Sequence, residues 1–347
     1  MGIITIVGAG MMGSAMSYPA RENGNEVRLV GTPLDREIIR QAAETGWHIT
    51  LKRQLPEGVK YYQIEDLEKA MDGADMLISG VSSFGVDWFM EEILPRIPEA
   101  LPILSITKGM VAAEDGKLIP YPHLYENRYP DKSYSINAVG GPCTSYELAD
   151  LDMTEICFCG RNIETLRWLK GMLETPYYNI SLSTDVFGVE CAVAMKNAYA
   201  LGVALTIGLS QRMEGINGKE HYNSQAAVFG QSVREIGRIL TLYGGNDNNL
   251  YLGAGDLYVT VFGGRTRLIG TLLGRGLSFR SAMEELEGVT LESIVIARRT
   301  AQAIRTLIAL GQARAEDFPL LLHIDDIITN DVPVNIPWKA FESEMAE

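Results

Sequence analysis

Gly2-Ile3-Ile4-Thr5-Ile6-Val7-Gly8-Ala9-Gly10-Met11-Met12-Gly13 opens the chain, and its reading decides the fold. An apolar run rich in β-branched residues passes straight into Gly-x-Gly-x-x-Gly. A helix-forming stretch follows to Asn23, Gly24-Asn25 stops it, and Glu26-Val27-Arg28-Leu29-Val30 supplies a second strand. Strand, glycine turn, helix and strand in that order are the dinucleotide fingerprint. Gly8 permits the tight turn, Gly10 lets the backbone approach a pyrophosphate, and Gly13 lets helix and strand pack closely. The pyrophosphate is expected on the N-terminus of the helix that follows from Ser14, where free N–H groups point at it, with Met11 and Met12 of the loop as further cofactor-contact candidates. Further strands are expected at residues 74–81, 102–106, 133–139, 155–159 and 177–182, with helices between them. Beyond Asp185 the texture turns helical. The expected fold is therefore α/β: a Rossmann-like dinucleotide-binding domain over residues 1–185, then an all-helical domain over 186–347.

Four positions bear on which cofactor is held. The second strand ends at Gly31, where an acidic side chain would bind the ribose 2′-hydroxyl of NAD. Thr32 and Arg36 are candidates for a 2′-phosphate, while Asp35 pulls the other way, so NAD and NADP both remain open. Ser82, after the strand at 74–81, lies at the carboxyl edge where open α/β sites form. Thr107-Lys108-Gly109 follows the next strand and brings a cation to the same edge.

The second informative stretch is Asp185-Val186-Phe187-Gly188-Val189-Glu190-Cys191-Ala192-Val193-Ala194-Met195-Lys196-Asn197-Ala198-Tyr199-Ala200. It reads as a helix apolar nearly all round, and such a helix is buried. A Lys-Asn pair inside it is costly unless partnered or facing a cleft. Lys196 is thus a candidate general acid, because partial burial moves a lysine toward neutrality. Residues 208–223 read as a polar, glycine-bearing loop. Gly255-Asp256-Leu257, Thr260 and Gly263-Gly264-Arg265-Thr266-Arg267 follow, and arginine beside glycines suits a phosphate. Residues 121–130 read as a Tyr/Pro-rich connection, and residues 47–62 as an irregular or hairpin insertion.

The 44 acidic against 30 basic residues leave a net charge of −14, which argues against nucleic acid or an anionic membrane surface as partner. The 4 cysteines show no metal-ligand spacing and read as free thiols in a reducing compartment. No signal peptide and no integral membrane segment are expected, and the location expected is cytoplasmic. His48, His123, His221 and His323 are scattered and read as structural or exposed.

These segments, taken in order, resemble the soluble NAD(P)-dependent glycerol-3-phosphate dehydrogenase family. Gly8 to Gly13 resembles its cofactor loop, Thr107-Lys108-Gly109 its Ser-Lys-Gly loop, and Gly188 to Asn197 its Gly-x-Glu-x-x-x-x-x-Lys-Asn helix. Asp256-Leu257, Thr260 and Gly264-Arg265 are similar to its substrate segment. The resemblance implies exchange of dihydroxyacetone phosphate and sn-glycerol 3-phosphate, with NAD or NADP, in phospholipid backbone supply. It also implies that Lys196 is the catalytic acid/base, with Lys108, Asp256 and Thr260 as polar partners. Arg265, with Asn197 and Thr266, would grip the substrate phosphate; Lys108 and Arg265 would also face the cofactor. A homodimer through the helical domain is implied too, and no metal is called for. One departure is Thr266 where the family has Asn, which removes an amide fork. Rival readings are a related Lys-dependent reductase of another phosphorylated or acidic hydroxy substrate, and a non-catalytic NAD(P)-binding regulator.

Overall fold

Met76-Leu77-Ile78-Ser79 is buried along its whole length, as a parallel strand covered on both faces must be. It belongs to an eight-stranded sheet in the computed structural model, which describes residues 1–342. The strands of this sheet are β1 (Ile3–Val7), β2 (Glu26–Val30), β3 (Lys60–Tyr62), β4 (Met76–Ser79), β5 (Pro102–Ser105), β6 (Ser135–Gly140), β7 (Thr154–Gly160) and β8 (Tyr178–Ser183). Their spatial order is β8-β7-β6-β5-β4-β1-β2-β3. All neighbours run parallel except β6 and β7. The chain steps outward from β1 to β3 and then returns to place β4 beside β1. That reversal is a topological switch point, and ligands bind outside the carboxyl ends of the strands there.

Contacts divide the chain into two units: Met1–Lys108 with Pro120–Glu190, and Gly109–Ile119 with the chain from Cys191 onward. A single cut after residue 185 does not describe this division. Residues 109–119 form most of a small hairpin, Met110–Ala112 against Leu118–Pro120. Within the second unit the Arg299 guanidinium donates to the Met110 carbonyl (3.1 Å) and the Tyr243 hydroxyl to the Gly116 carbonyl (2.7 Å).

In the first unit, residues 121–130 are not a plain connection: Tyr121–Arg128 is a helix. Pro122 sits in its first turn, where proline is tolerated, and Tyr121 and Tyr125, one turn apart, are buried. The insertion at 47–62 is a hairpin, Trp47–His48 with Arg53–Gln54, followed by β3, which extends the main sheet. Cys157 and Cys159 are buried free thiols on β7.

The second unit is built around the helix Lys196–Glu214, flanked by Tyr222–Leu242, Leu250–Val261, Gly264–Arg275, Glu292–Ala309 and Pro319–Asn330. Glycine stands at the closest crossing. A Cβ on Gly274 would meet the Leu205 carbonyl oxygen at 2.2 Å, and one on Gly208 would meet the Thr271 carbonyl oxygen at 2.2 Å. Gly208 therefore lies inside a helix, and the expected loop at 208–223 shrinks to 215–221. Gly263-Gly264 likewise leads directly into a helix. Val186–Glu214 is long and apolar enough, by length and composition, to cross a membrane, but its apolar stretch is mostly buried under other elements, and a core helix meets the same measure.

Candidate active site

In the first unit the fingerprint loop takes the expected form. Gly8 has φ +113°, and its N–H donates to the Val30 carbonyl at 2.9 Å. A Cβ on Gly13 would lie 2.1 Å from the Gly8 carbonyl oxygen, and one on Gly80 would lie 2.9 Å from both Gly13 Cα and that same oxygen. Turn, helix and β4 edge thus touch backbone to backbone. Gly10 is the opposite case: a Cβ there would meet nothing within 4 Å. Gly10 is the N-cap of the helix Met11–Ala15, which carries no side-chain cap. The first amides of that helix, at Met11 and Met12, have no intrahelical acceptor. Open space beside Gly10, uncapped donors and a glycine-tight turn fit a dinucleotide pyrophosphate.

The end of β2 has no room for an acidic side chain. A Cβ on Gly31 would meet Ile39 Cγ1 at 2.6 Å and Asp35 Cβ at 3.2 Å. Asp35 instead turns inward, and its Oδ2 accepts from the Thr32 N–H (2.9 Å), the Thr32 hydroxyl (2.8 Å) and the Ala9 N–H (3.1 Å). Arg36 is exposed and pairs with Glu65 through two contacts. Ser82 is exposed just beyond β4. Lys108 follows β5 and donates from Nζ to the Gly141 carbonyl (2.6 Å), bridging the ends of β5 and β6. His48, singled out by no local motif, is fully buried and contacts the Ala9 carbonyl at 2.9 Å.

The second unit brings Lys196 and Asp256 together. Lys196 Nζ lies 2.5 Å from Asp256 Oδ1; the lysine side chain is 16% exposed and the aspartate 0%. Small residues make the approach. A Cβ on Gly253 would meet the Ala192 carbonyl oxygen at 2.6 Å, so the two helices touch at that level. Asp256 stands one turn further along its helix Leu250–Val261, and Lys196 follows Ala192 by four residues, opening the helix Lys196–Glu214 just after the helix Val186–Ala194 that carries Ala192. Thr260 is one turn beyond Asp256, and its hydroxyl donates to the Asp256 carbonyl (2.6 Å). Asn197 is partly exposed beside Lys196. Arg265 is exposed in the first turn of the helix Gly264–Arg275, whose N-cap Gly263 offers no side-chain cap. Thr266, next to it, is buried. Arg267 is held elsewhere: it donates to the Val261 carbonyl (3.1 Å) and pairs with Glu220 (3.4 Å).

Two buried glutamates contrast sharply. Glu235 in the second unit accepts four hydrogen bonds, from the Gln231 amide (2.8 Å), the Tyr199 hydroxyl (3.0 Å) and the backbone N–H groups of Leu320 (2.8 Å) and Leu321 (3.0 Å). Burial pushes its carboxyl up to about 7 against those donors. Glu190 in the first unit is fully buried, and neither of its oxygens has a hydrogen-bond partner. Burial raises its carboxyl to about 8, with the Lys108 charge opposing.

Comparison with known proteins covers most of the chain in two stretches. Residues 3–166 match the pattern described as NAD-dependent glycerol-3-phosphate dehydrogenase N-terminus, and residues 185–338 that of the C-terminus. An NADP(+)-dependent glycerol-3-phosphate dehydrogenase of Archaeoglobus fulgidus is 33% identical over 287 residues, 82% of this chain and 84% of that protein. A glycerol-3-phosphate dehydrogenase [NAD(P)+] of Shouchella clausii is 25% identical over 99% of this chain and 95% of its own length. Among solved structures, Plasmodium falciparum glycerol-3-phosphate dehydrogenase shares the fold, with a TM-score of 0.82 at 19% identity over 99% of this chain and 96% of that one. With the fingerprint loop at one end of the match and the Lys196–Asp256 pair within the other, the chain belongs to the NAD-dependent glycerol-3-phosphate dehydrogenase family.

Proposed function

We propose that the protein interconverts dihydroxyacetone phosphate and sn-glycerol 3-phosphate with NAD or NADP, and that Lys196 is its general acid/base. The observation that carries this is the Lys196–Asp256 pair, 2.5 Å long with its carboxylate wholly buried. A buried carboxylate holds an ammonium in one place and one orientation. Bound NAD(P)H supplies the hydride. Lys196 then donates its proton to the oxygen on which charge develops, and in the reverse direction takes it from the alcohol. Asp256 keeps the ammonium aimed, and the Thr260 hydroxyl, tied to the Asp256 carbonyl, stiffens that turn. Lys108 adds positive potential for an anionic substrate. Arg265 and the uncapped N-terminus of its helix offer charge and N–H donors to a phosphate, with Asn197 as a further donor. Thr266, being buried, contributes its backbone N–H rather than a side-chain fork.

The fingerprint amides from Gly10 to Gly13 hold the pyrophosphate, with Ser82, Lys108 and Arg265 as further cofactor contacts. Thr32 and Arg36 are the groups nearest in sequence to the ribose end. Since the Thr32 hydroxyl already serves Asp35 and Arg36 already serves Glu65, a 2′-phosphate has to compete for them. We assign residues 186–347 the substrate-binding and catalytic role. Four cysteines, none of them in a disulfide among the described residues, support a cytoplasmic location. Exposed Tyr222, Tyr258 and Phe262 on the helical unit support a homodimer.

The test is oxidation of NADH and NADPH, assayed separately, with dihydroxyacetone phosphate and with unphosphorylated dihydroxyacetone. Turnover with the phosphorylated ketone alone is expected. Absence of turnover with either nucleotide would refute the assignment, and faster turnover of unphosphorylated dihydroxyacetone would transfer it to a related reductase of unphosphorylated substrates.

A further inference from the structure

We infer that His48 is a positioning residue for the nucleotide: it fixes the direction of the Gly10 N–H by gripping the other side of the same peptide group. This rests on the cofactor assignment above and goes beyond it, because His48 lies outside the fingerprint, on the inserted hairpin Trp47–His48 with Arg53–Gln54.

The hydrogen bonds leave one arrangement of the ring. His48 is fully buried. Its Nε2 lies 2.9 Å from the Ala9 carbonyl oxygen, which only accepts, so Nε2 carries the proton. Its Nδ1 takes the Leu51 N–H at 3.0 Å, with the Thr50 hydroxyl at 3.3 Å, so Nδ1 is the acceptor. The ring is therefore the neutral Nε2–H tautomer. Burial favours the same state by pushing the imidazole below its ordinary range, against the nearby Asp35 charge.

The Ala9 carbonyl and the Gly10 N–H belong to one planar trans peptide, so they point in opposite directions. A donor fixed on the Ala9 oxygen thereby fixes where the Gly10 N–H points. The preceding peptide is held as well, since the Ala9 N–H donates to Asp35 Oδ2 at 3.1 Å. Ala9 is fully buried between these two clamps, whereas the next residue, Gly10, faces open space. A peptide that must present a donor to a phosphate gains from such anchoring, because the donor's orientation is set before the ligand arrives. Nothing on the exposed side of Gly10 could do this without occupying the ligand's place.

The experiment separates the two ends of the ring. His48→Gln keeps an N–H donor near the Nε2 position, and His48→Asn keeps an oxygen acceptor near the Nδ1 position. Dissociation constants for NADPH and NADH are measured by quenching of nucleotide fluorescence, beside kcat and KM for dihydroxyacetone phosphate at saturating nucleotide. His48→Asn should weaken nucleotide binding roughly tenfold, the worth of one hydrogen bond, with kcat moving far less. His48→Gln should restore most of the affinity. Equal weakening by the two variants, or wild-type affinity in folded His48→Asn, would overturn the inference. If both variants fail to fold, ¹⁵N-histidine spectra of the wild-type protein decide it: the Nε2–H tautomer with and without NADPH is expected, and the Nδ1–H tautomer would overturn it. A wild-type protein that binds neither nucleotide would instead refute the cofactor assignment, and the tautomer measurement would still test the grip on Ala9.

Discussion

Replacing Lys196 tests two claims at once, and the structure separates them. Asp256 is wholly buried, and Lys196 is the cation 2.5 Å from it. Removing one member of a buried ion pair leaves an uncompensated charge and costs about 3–5 kcal/mol. The Lys196 side chain is 16% exposed, so some water reaches its end of the pair, and the low end, about 3 kcal/mol, is expected for Lys196→Met. Neutralising Asp256 in the same chain removes the stranded charge. The double variant Lys196→Met with Asp256→Asn should therefore recover most of that loss, to within about 1 kcal/mol of wild type. Catalysis should follow the opposite logic. Neither variant has the proton donor, so both should lose turnover by roughly 10²–10⁴ while still binding nucleotide. Urea unfolding followed by circular dichroism gives the first quantity, and steady-state NAD(P)H oxidation the second. A Lys196→Met protein as stable as wild type would show that Asp256 is not an anion dependent on that lysine. A double variant no more stable than the single one would refute the stranded-charge argument. Retained turnover in either would remove Lys196 from the mechanism.

Gly274→Ala places a methyl 2.2 Å from the Leu205 carbonyl oxygen and 2.8 Å from Gly208 Cα; it should destabilise the helical unit by about 1–3 kcal/mol in urea unfolding, despite alanine's better helix propensity. Glu235→Gln keeps one carbonyl oxygen but turns an N–H donor toward groups that also donate, so about 1–3 kcal/mol should be lost. Glu190→Gln, with no hydrogen bond to lose, should cost less than half as much at neutral pH. Both carboxyls bind a proton more tightly folded than unfolded, so the stability each contributes is full below about 4.5 and is lost as pH rises, through about 7 for Glu235 and about 8 for Glu190. Glu190→Gln should flatten that decline in a pH series of urea midpoints, and an unchanged slope would show that Glu190 ionises as a solvent-exposed carboxyl does.

What the sequence made legible was local. The strand, glycine turn and helix at residues 3–22 are read from neighbours a few positions apart, and the structure keeps them in that order, with the helix starting inside the fingerprint at Met11 and broken at Met16 into Met11–Ala15 and Ser17–Glu22. The strands β4 and β5 were legible for the same reason: a short apolar run, buried on both faces, that ends at a polar or glycine break. Failures came where a residue's usual meaning was reversed by a distant partner. Gly208 looks like a loop residue until Thr271 and Gly274 are seen against it. Pro122 looks like a helix breaker until it falls in a first turn, where no N–H is required. His48 carried no signal, because Ala9 lies 39 positions away and a lone histidine has no pattern. Lys196 and Asp256, 60 positions apart, were paired only through family resemblance.

The fingerprint and the Lys196–Asp256 pair reach their geometry by the same means, and it explains why the chemistry-bearing side chains alone were a poor guide. At the fingerprint, Gly8, Gly13 and Gly80 bring a turn, a helix and a strand edge within backbone contact; at the helical site, Gly253 brings one helix onto the Ala192 carbonyl. Such contacts tolerate little adjustment, because any added carbon must displace main chain rather than a flexible side chain. The functional groups then sit within about one turn of the contact: Lys196 four residues past Ala192, Asp256 three past Gly253, and the Gly10 N–H two residues past Gly8. A charge or donor placed that close to an incompressible contact inherits its precision. Substitution at Gly253 should therefore disturb Lys196 as surely as substitution at Asp256, although glycine has no chemistry of its own to contribute.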